Sequence, residues 1–365
     1  MQITIPMQTI LLLNITVVFI AFLARFKKSG LALELAFLII FLFTGLRYNF
    51  GADYPGYKVT FDTISAYTSL FSIDKSQFVA ETGWLILCYI FKPIGFFGMV
   101  LVLSAFICYT YYSLIKKYVE PGYYWMGVAV YCFMTEIMLI QFSALRQAVA
   151  IAIFLFASRY LLEKRSPIKY VLCILLAGTI HSSAYFMLIF VMFAFYKDWN
   201  NNKTGYVILT VFFGLLVFGQ TILGVMPFLT TIFAGDRYLD VFTADNESGM
   251  TLTGGAVWGI MIVIVVYFSK FQPKEFKYFY LFYSMYFISY ILINLIWTGD
   301  RFGYYFAPFG IIALPKMISE IKLPIIKVAI FLLFFGFILS RFFNFFTYEF
   351  VIEGYAKYQT IFSQL

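Results

Sequence analysis

The chain has 365 residues, of which 62% are hydrophobic and 22% aromatic, with 47 Phe and 29 Tyr, and its mean hydropathy is +0.88. A water-soluble core has no use for that much apolar surface, whereas a bilayer solvates it. The net charge of +8 comes without the basic-aromatic surface pattern of a nucleic-acid binder, so nucleic acid is excluded as a partner.

Continuous apolar segments predict helices rather than the alternating strands of a membrane barrel. The expected fold class is all-α: a polytopic membrane protein of about 12 helices, over 8–24, 31–46, 95–115, 122–140, 143–162, 168–180, 182–196, 204–224, 254–271, 277–297, 302–318 and 323–343. The start MQITIPMQTI lacks a basic n-region and a small-residue cleavage site, so 8–24 reads as a retained first span. The run TGWLILCYIFK over 82–92 is short for a span and ends before Pro93, which fits a surface-lying or re-entrant helix. The halves 168–180 and 182–196 meet at His181, either as a broken pair lining a cavity or as one long bent helix. Cys88, Cys108, Cys132 and Cys173 all fall in apolar segments without a CxxC spacing, which predicts free thiols. With no internal repeat and no separate soluble stretch, residues 1–365 read as one transmembrane domain. Its long polar loops lie at about 47–81 and 225–253.

Orientation follows from the positive-inside rule. One set of loops carries 17 of the 26 basic residues, among them Lys27, Lys28, Lys116, Lys117, Lys164, Arg165, Lys270, Lys274 and Lys322. That set reads as cytoplasmic, which puts both termini and both long loops outside. Arginines run against this rule: Arg47, Arg146, Arg237, Arg301 and Arg341 all fall on the outer side. A guanidinium presents a rigid fork of donors suited to phosphate oxygens, and a cation at the membrane edge is a candidate functional position, with snorkelling to lipid headgroups the alternative for Arg146.

The first outer loop opens GLRYNFGADYPGYKVTF. There Asp53 sits among Tyr54 and Tyr57, aromatic faces and a carboxylate suited to a sugar ring, or equally to an interfacial tyrosine belt with an Asp turn. Arg146 and Gln147 begin an apolar helix in QFSALRQAVAIAIF, His181 stands alone in GTIHSSAYF, Arg237 and Tyr238 lie in GDRYLDVF, and Arg301 and Tyr304 lie in WTGDRFGYYFAPF. Four arginines suit a pyrophosphate, and His181, the sole histidine, or Asp53 could accept a proton. There is no DxD and no His/Cys cluster, so neither a metal site nor a cofactor is expected.

The string LRYNFGADYPGY, the ETGW element that begins at Glu81, the LRQ-A element at Arg146, the HSSA element at His181 and the DRF-x-x-YF element at Arg301 stand in an order that resembles the EpsG-like family of polysaccharide polymerases, over roughly residues 30–310. That family is similar to Wzy-type O-antigen and capsule polymerases and, more distantly, to O-antigen ligases, which share a GT-C-type fold. The resemblance implies a glycosyltransferase of the bacterial cytoplasmic (inner) membrane with its site facing outward. It would move a growing glycan from undecaprenyl pyrophosphate to the non-reducing-end sugar of an incoming lipid-linked repeat unit, inverting the anomeric centre. On this reading Arg47, Arg146, Arg237 and Arg301 hold pyrophosphate, His181 or Asp53 is the base, and Tyr54, Tyr57, Glu81, Gln147, Tyr238 and Tyr304 contact substrate. The partners would be lipid-linked oligosaccharide donor and acceptor, membrane lipids and a chain-length regulator. One departure is the modest second loop, which argues against lid-type control of chain length. An O-antigen ligase-like transferase, a flippase of lipid-linked glycans and an O-acyltransferase are the alternatives. A flippase should show repeat symmetry and mid-membrane charge, and an acyltransferase its histidine toward the basic face.

The orientation predicts that a cysteine replacing Asp62 is labelled by an impermeant maleimide on intact cells, and that one replacing Arg165 is labelled only after permeabilisation. The opposite pattern would invert the topology.

Overall fold

The computed structural model describes residues 5–27, 31–163, 166–195, 201–233, 252–295, 300–347, 349–355 and 357–364. Apolar segments fold as helices, as expected where backbone groups must be satisfied within the segment. Four helical stretches are long and apolar enough to cross a membrane: Met7–Phe26, Thr82–Tyr118, Leu145–Leu162 and Pro324–Phe345. Shorter apolar helices accompany them, and the chain is an integral membrane protein of helical type. It divides into two compact units, Met1–Phe195 with Leu314–Leu365, and Tyr196–Ala313.

In the first unit, α1 (Ile5–Phe22), α2 (Leu31–Gly45), α3 (Tyr54–Ser65), α4 (Thr82–Phe91), α5 (Gly95–Tyr118), α6 (Tyr124–Phe133), α7 (Met138–Ser143), α8 (Leu145–Leu162) and α9 (Pro167–Ile180) follow in order. A 3-10 helix, Ser182–Val191, succeeds α9. The run 82–92 is a true helix that passes through a 3-10 turn at Lys92–Ile94 into α5. The expected span 122–140 is interrupted instead: α6 stops at Phe133 and a new helix begins at Met138. Glu136 in the gap is 5% exposed and is held by Arg341 Nη2 at 2.6 Å. Asn14 Nδ2 donates to the carbonyl of Cys132 at 2.9 Å, supplying a donor for one of the carbonyls that a helix end leaves open. Toward the lysine-rich ends, Lys116 pairs with Glu34 at 2.6 Å and Lys117 with Glu163 at 2.8 Å. The four cysteines are free.

The loop 47–81 is ordered by residues 354–360. A short strand β1 (Arg47–Tyr48) pairs antiparallel with β2 (Gln359–Thr360), an element the all-helical expectation lacks. Gly51 donates its N–H to the carbonyl of Gly354 at 2.8 Å. Gly51 has φ +119°, and a Cβ there would stand 2.0 Å from the carbonyl oxygen of Phe142, so only glycine fits. Tyr358 stacks on Phe43 at 3.9 Å and donates to its carbonyl at 2.9 Å, while Tyr355 donates to the carbonyl of Leu139 at 3.0 Å.

Arg47 belongs to the same construction. It is fully buried. Its Nη1 donates to the carbonyl of Thr44 and to Ser104 Oγ at 3.4 Å, and its Nη2 donates to the carbonyl of Gln141 at 3.1 Å. Those carbonyls lie in the last turns of α2 and α7, where partners are missing and the helix dipole favours a cation. The rings of Tyr54 and Phe142 lie 5.6 Å and 5.5 Å from its guanidinium carbon.

The second unit contains α10 (Asn202–Phe233), α11 (Leu252–Ser269), α12 (Lys274–Leu295) and α13 (Asp300–Phe306). An aromatic seam packs it: Trp258 stacks on Tyr290 at 4.9 Å and Tyr283 on Tyr286 at 5.9 Å. The expected span 302–318 changes pitch at Ala307–Phe309, where Pro308 removes a donor. It then runs on as α14 (Gly310–Glu320), and α15 (Pro324–Phe345) follows in the first unit.

Replacing Arg47 with alanine strips two helix ends of their shared donor and should destabilise the protein by about 2–4 kcal/mol. A thermal unfolding midpoint in detergent that does not move would refute the capping role.

Candidate functional site

The site is built where three chain segments begin. Glu81 precedes α4 with extended backbone, a position where an anion is favoured by the helix dipole. Arg146 is in the first turn of α8, created by a break at Ala144, whose φ is −97° and ψ 63°. That is the unfavourable end of a helix for a cation, so an anion nearby is needed. His181 ends α9, with φ −149° and ψ 117°, and Ser182 starts the 3-10 helix. The chain is therefore broken at His181, as the broken-pair reading requires.

One carboxylate joins all three segments. Glu81 Oε2 accepts from Arg146 Nη1 at 2.5 Å. Its Oε1 accepts the Ser182 N–H at 2.9 Å and lies 3.2 Å from His181 Nδ1. The Glu81 side chain is 20% exposed and that of His181 11%. Burial alone would raise the Glu81 pKa, but the contacts with His181 and Ser182 and the charge of Arg146 outweigh it and pull the carboxyl down to about 2. Gly83 makes the approach possible. A Cβ there would sit 2.3 Å from Thr179 Oγ1 and 2.7 Å from the Thr179 carbonyl, so α4 and α9 touch at backbone distance.

Beside this cluster is a cavity of about 650 Å³, lined by Asp53, Gly56, Tyr57, Thr60 and Thr63 of the loop 47–81, by Gln77–Ala80, and by Trp84 and Arg146. Tyr57 donates to Asp53 Oδ2 at 3.3 Å. Its ring lies 5.3 Å from Trp84 and 5.8 Å from the Arg146 guanidinium carbon. Burial pushes the Tyr57 hydroxyl well up, so it stays a neutral donor. Trp84 is fully buried, and its indole N–H has no partner among the described residues. Aromatic faces, hydroxyls, a carboxylate and a guanidinium around one cavity are groups that bind a hydroxylated ring bearing an anion.

The sequence-predicted residues thus separate. Asp53, Tyr57, Glu81, Arg146 and His181 come together in the first unit. Tyr54 is buried and donates to the carbonyl of Arg47 at 3.1 Å, while Arg47 caps helix ends. Gln147 is 3% exposed. Arg301 is exposed and Tyr304 half-buried on α13 of the other unit. Arg237 and Tyr238 lie outside the described residues. Glu81 is more than the substrate contact expected of it, and Trp84 was not among the expected residues at all. The ETGW element holds both, but contact across 65 and 100 residues leaves no local pattern to read.

Residues 31–360 match the model of the EpsG family. The match extends beyond residue 310 to the strand that closes on Arg47. No curated protein and no solved structure matches the chain.

Because the Glu81 carboxyl is held below its ordinary value of 4.5, its stabilising contribution is complete above that value and is lost as pH falls through about 2. The difference in unfolding temperature between wild type and Glu81→Gln should therefore shrink as pH falls below about 4.5. A difference unchanged across that window would show that Glu81 carries no native charge interaction.

Proposed function

The chain belongs to the EpsG family, and from that premise we propose that it is a polysaccharide polymerase. It transfers a growing glycan from undecaprenyl pyrophosphate to the non-reducing-end sugar of an incoming lipid-linked repeat unit, on the outer face of the cytoplasmic membrane. In this reading residues 1–365 are one transferase domain of GT-C type with about twelve spans.

The observation that supports it is the Glu81 cluster. A guanidinium suited to a phosphate and an imidazole suited to a proton share one carboxylate, at the edge of a cavity with sugar-binding chemistry. Departure of a pyrophosphate is helped by a fixed cation where water is scarce, and Arg146 fills that role with donors beyond the one spent on Glu81. Arg301 and Arg237 are assigned to further phosphate oxygens on their sequence pattern alone. Arg47, with its donors committed to Thr44, Ser104 and Gln141, serves as scaffold in place of the phosphate contact its sequence position suggested. Asp53, Tyr57 and the threonines Thr60 and Thr63 orient the acceptor sugar, and His181 takes its proton. A single displacement of this kind inverts the anomeric centre.

The experiment is glycan electrophoresis on a strain lacking this chain and complemented with variants. Loss of the ladder above one repeat, with a single repeat still attached to its final carrier, is the expected result. Loss of all attached glycan would make the protein a ligase, and lipid-linked repeats trapped on the cytoplasmic face would make it a flippase. Arg146→Lys should restore little of the ladder, because a point charge cannot replace a planar fork. Full restoration would remove Arg146 from phosphate binding.

A further inference from the structure

We propose that Glu81 is a positioning residue: it fixes the His181 ring as the tautomer protonated at Nδ1 and leaves Nε2 as the atom that receives the acceptor's proton. The tautomer follows from the geometry alone; the use of Nε2 rests on the polymerase reading.

The argument is one of donors and acceptors. An ionised carboxylate only accepts. Glu81 Oε1 already receives the Ser182 N–H at 2.9 Å, and His181 Nδ1 stands 3.2 Å from the same oxygen. The hydrogen between Nδ1 and Oε1 must therefore belong to the ring. A neutral imidazole has one N–H, so Nε2 is bare, and it has no hydrogen-bond partner among the described residues. The carboxylate stays ionised because Arg146 holds its other oxygen at 2.5 Å. The backbone that carries the ring is held on both sides. The His181 N–H donates to the carbonyl of Ala177 at 2.9 Å, and its own carbonyl accepts from Ala184 at 3.0 Å. The backbone contact of Gly83 with Thr179 sets the carboxylate and the ring at matching heights, each two residues from that contact.

This decides between the two candidate bases. Asp53 is exposed and engaged by Tyr57 on the cavity wall, while His181 has a nitrogen left vacant by its own orienting bond. In the reaction, the acceptor hydroxyl oxygen forms its bond to the anomeric carbon of the donor and gives its proton to Nε2. The bond from that carbon to the pyrophosphate oxygen breaks, and the electron pair leaves with the pyrophosphate beside Arg146. The imidazolium, now protonated on both nitrogens, is held by the Glu81 charge until it returns the proton to water. Such proton transfer contributes about 10²–10⁴-fold in rate.

The chain has a single histidine, so labelling with ¹⁵N-histidine reports on His181 alone. The full chain, purified through a tag free of histidine and placed in nanodiscs, would be measured at a pH where titration shows the ring neutral. The expected spectrum has Nδ1 as the protonated, pyrrole-type nitrogen and Nε2 as the bare, pyridine-type one; Glu81→Gln should mix the tautomers or reverse them. A wild-type ring protonated at Nε2 would overturn the proposal even if the variant failed to fold, and so would a variant spectrum identical to wild type. In reconstituted polymerisation, Glu81→Gln should lower turnover by about 100-fold or more, with Glu81→Asp recovering part of it. The expected tautomer combined with wild-type turnover in Glu81→Gln would remove the positioning role. Absence of polymerisation by the wild type would count against the polymerase reading and leave the tautomer result standing.

Discussion

A carboxylate at the head of an apolar helix, four-fifths withdrawn from water, stays ionised only if neighbouring groups replace the solvent it has lost. Glu81 finds those groups in three places that the chain reaches separately: a guanidinium in the first turn of α8, a backbone N–H at the start of a 3-10 helix, and an imidazole between two helical halves. Each partner has its own reason to need the carboxylate. Arg146 is a cation at the wrong end of a helix dipole, Ser182 has an N–H released where α9 stops, and His181 is a polar ring that is 8% exposed. The cluster satisfies four groups at once, and the breaks at Ala144 and His181 are what let them meet.

Arg47 and Arg146 serve two different ends. Arg47 has spent its terminal nitrogens on carbonyls and a hydroxyl, and with Tyr355 and Tyr358 it supplies donors to carbonyls of α2 and α7. Arg146 is bound through one terminal nitrogen to an ionisable partner, has a side chain 22% exposed, and borders a cavity. Donors locked into backbone carbonyls make a scaffold; donors shared with a carboxylate beside open space can be redirected to a substrate anion.

Hydropathy alone placed most helices within a few residues, because apolar length is set by the bilayer and needs no knowledge of neighbours. The interruptions were less legible. The gap at Met134–Ile137 depends on Arg341, some 205 residues from Glu136, and the strand at Arg47 depends on Thr360. Neither partner can be inferred from local pattern. Among the candidate residues, the pattern of charges singled out Arg47, Arg146, Asp53 and His181 alike; that Arg47 has its terminal nitrogens committed to Thr44, Ser104 and Gln141 could not be read, since burial and partner geometry are invisible in a linear string. Glu81 was legible as part of a short acidic-aromatic element, and its bridging role was not. The close contact of Gly83 with Thr179 is a property of two helices meeting, and glycine in a helix has many other uses.

The claim that one carboxylate couples Arg146 to the rest of the site is tested most directly by a double-mutant cycle on stability, using Glu81→Gln, Arg146→Gln and the pair. A shared, partly buried contact predicts a coupling energy of about 1 kcal/mol or more, with the double variant little worse than the weaker single variant. Single effects that add to within about 0.3–0.5 kcal/mol would mean that the two residues do not sense one another, and the site as described would not exist.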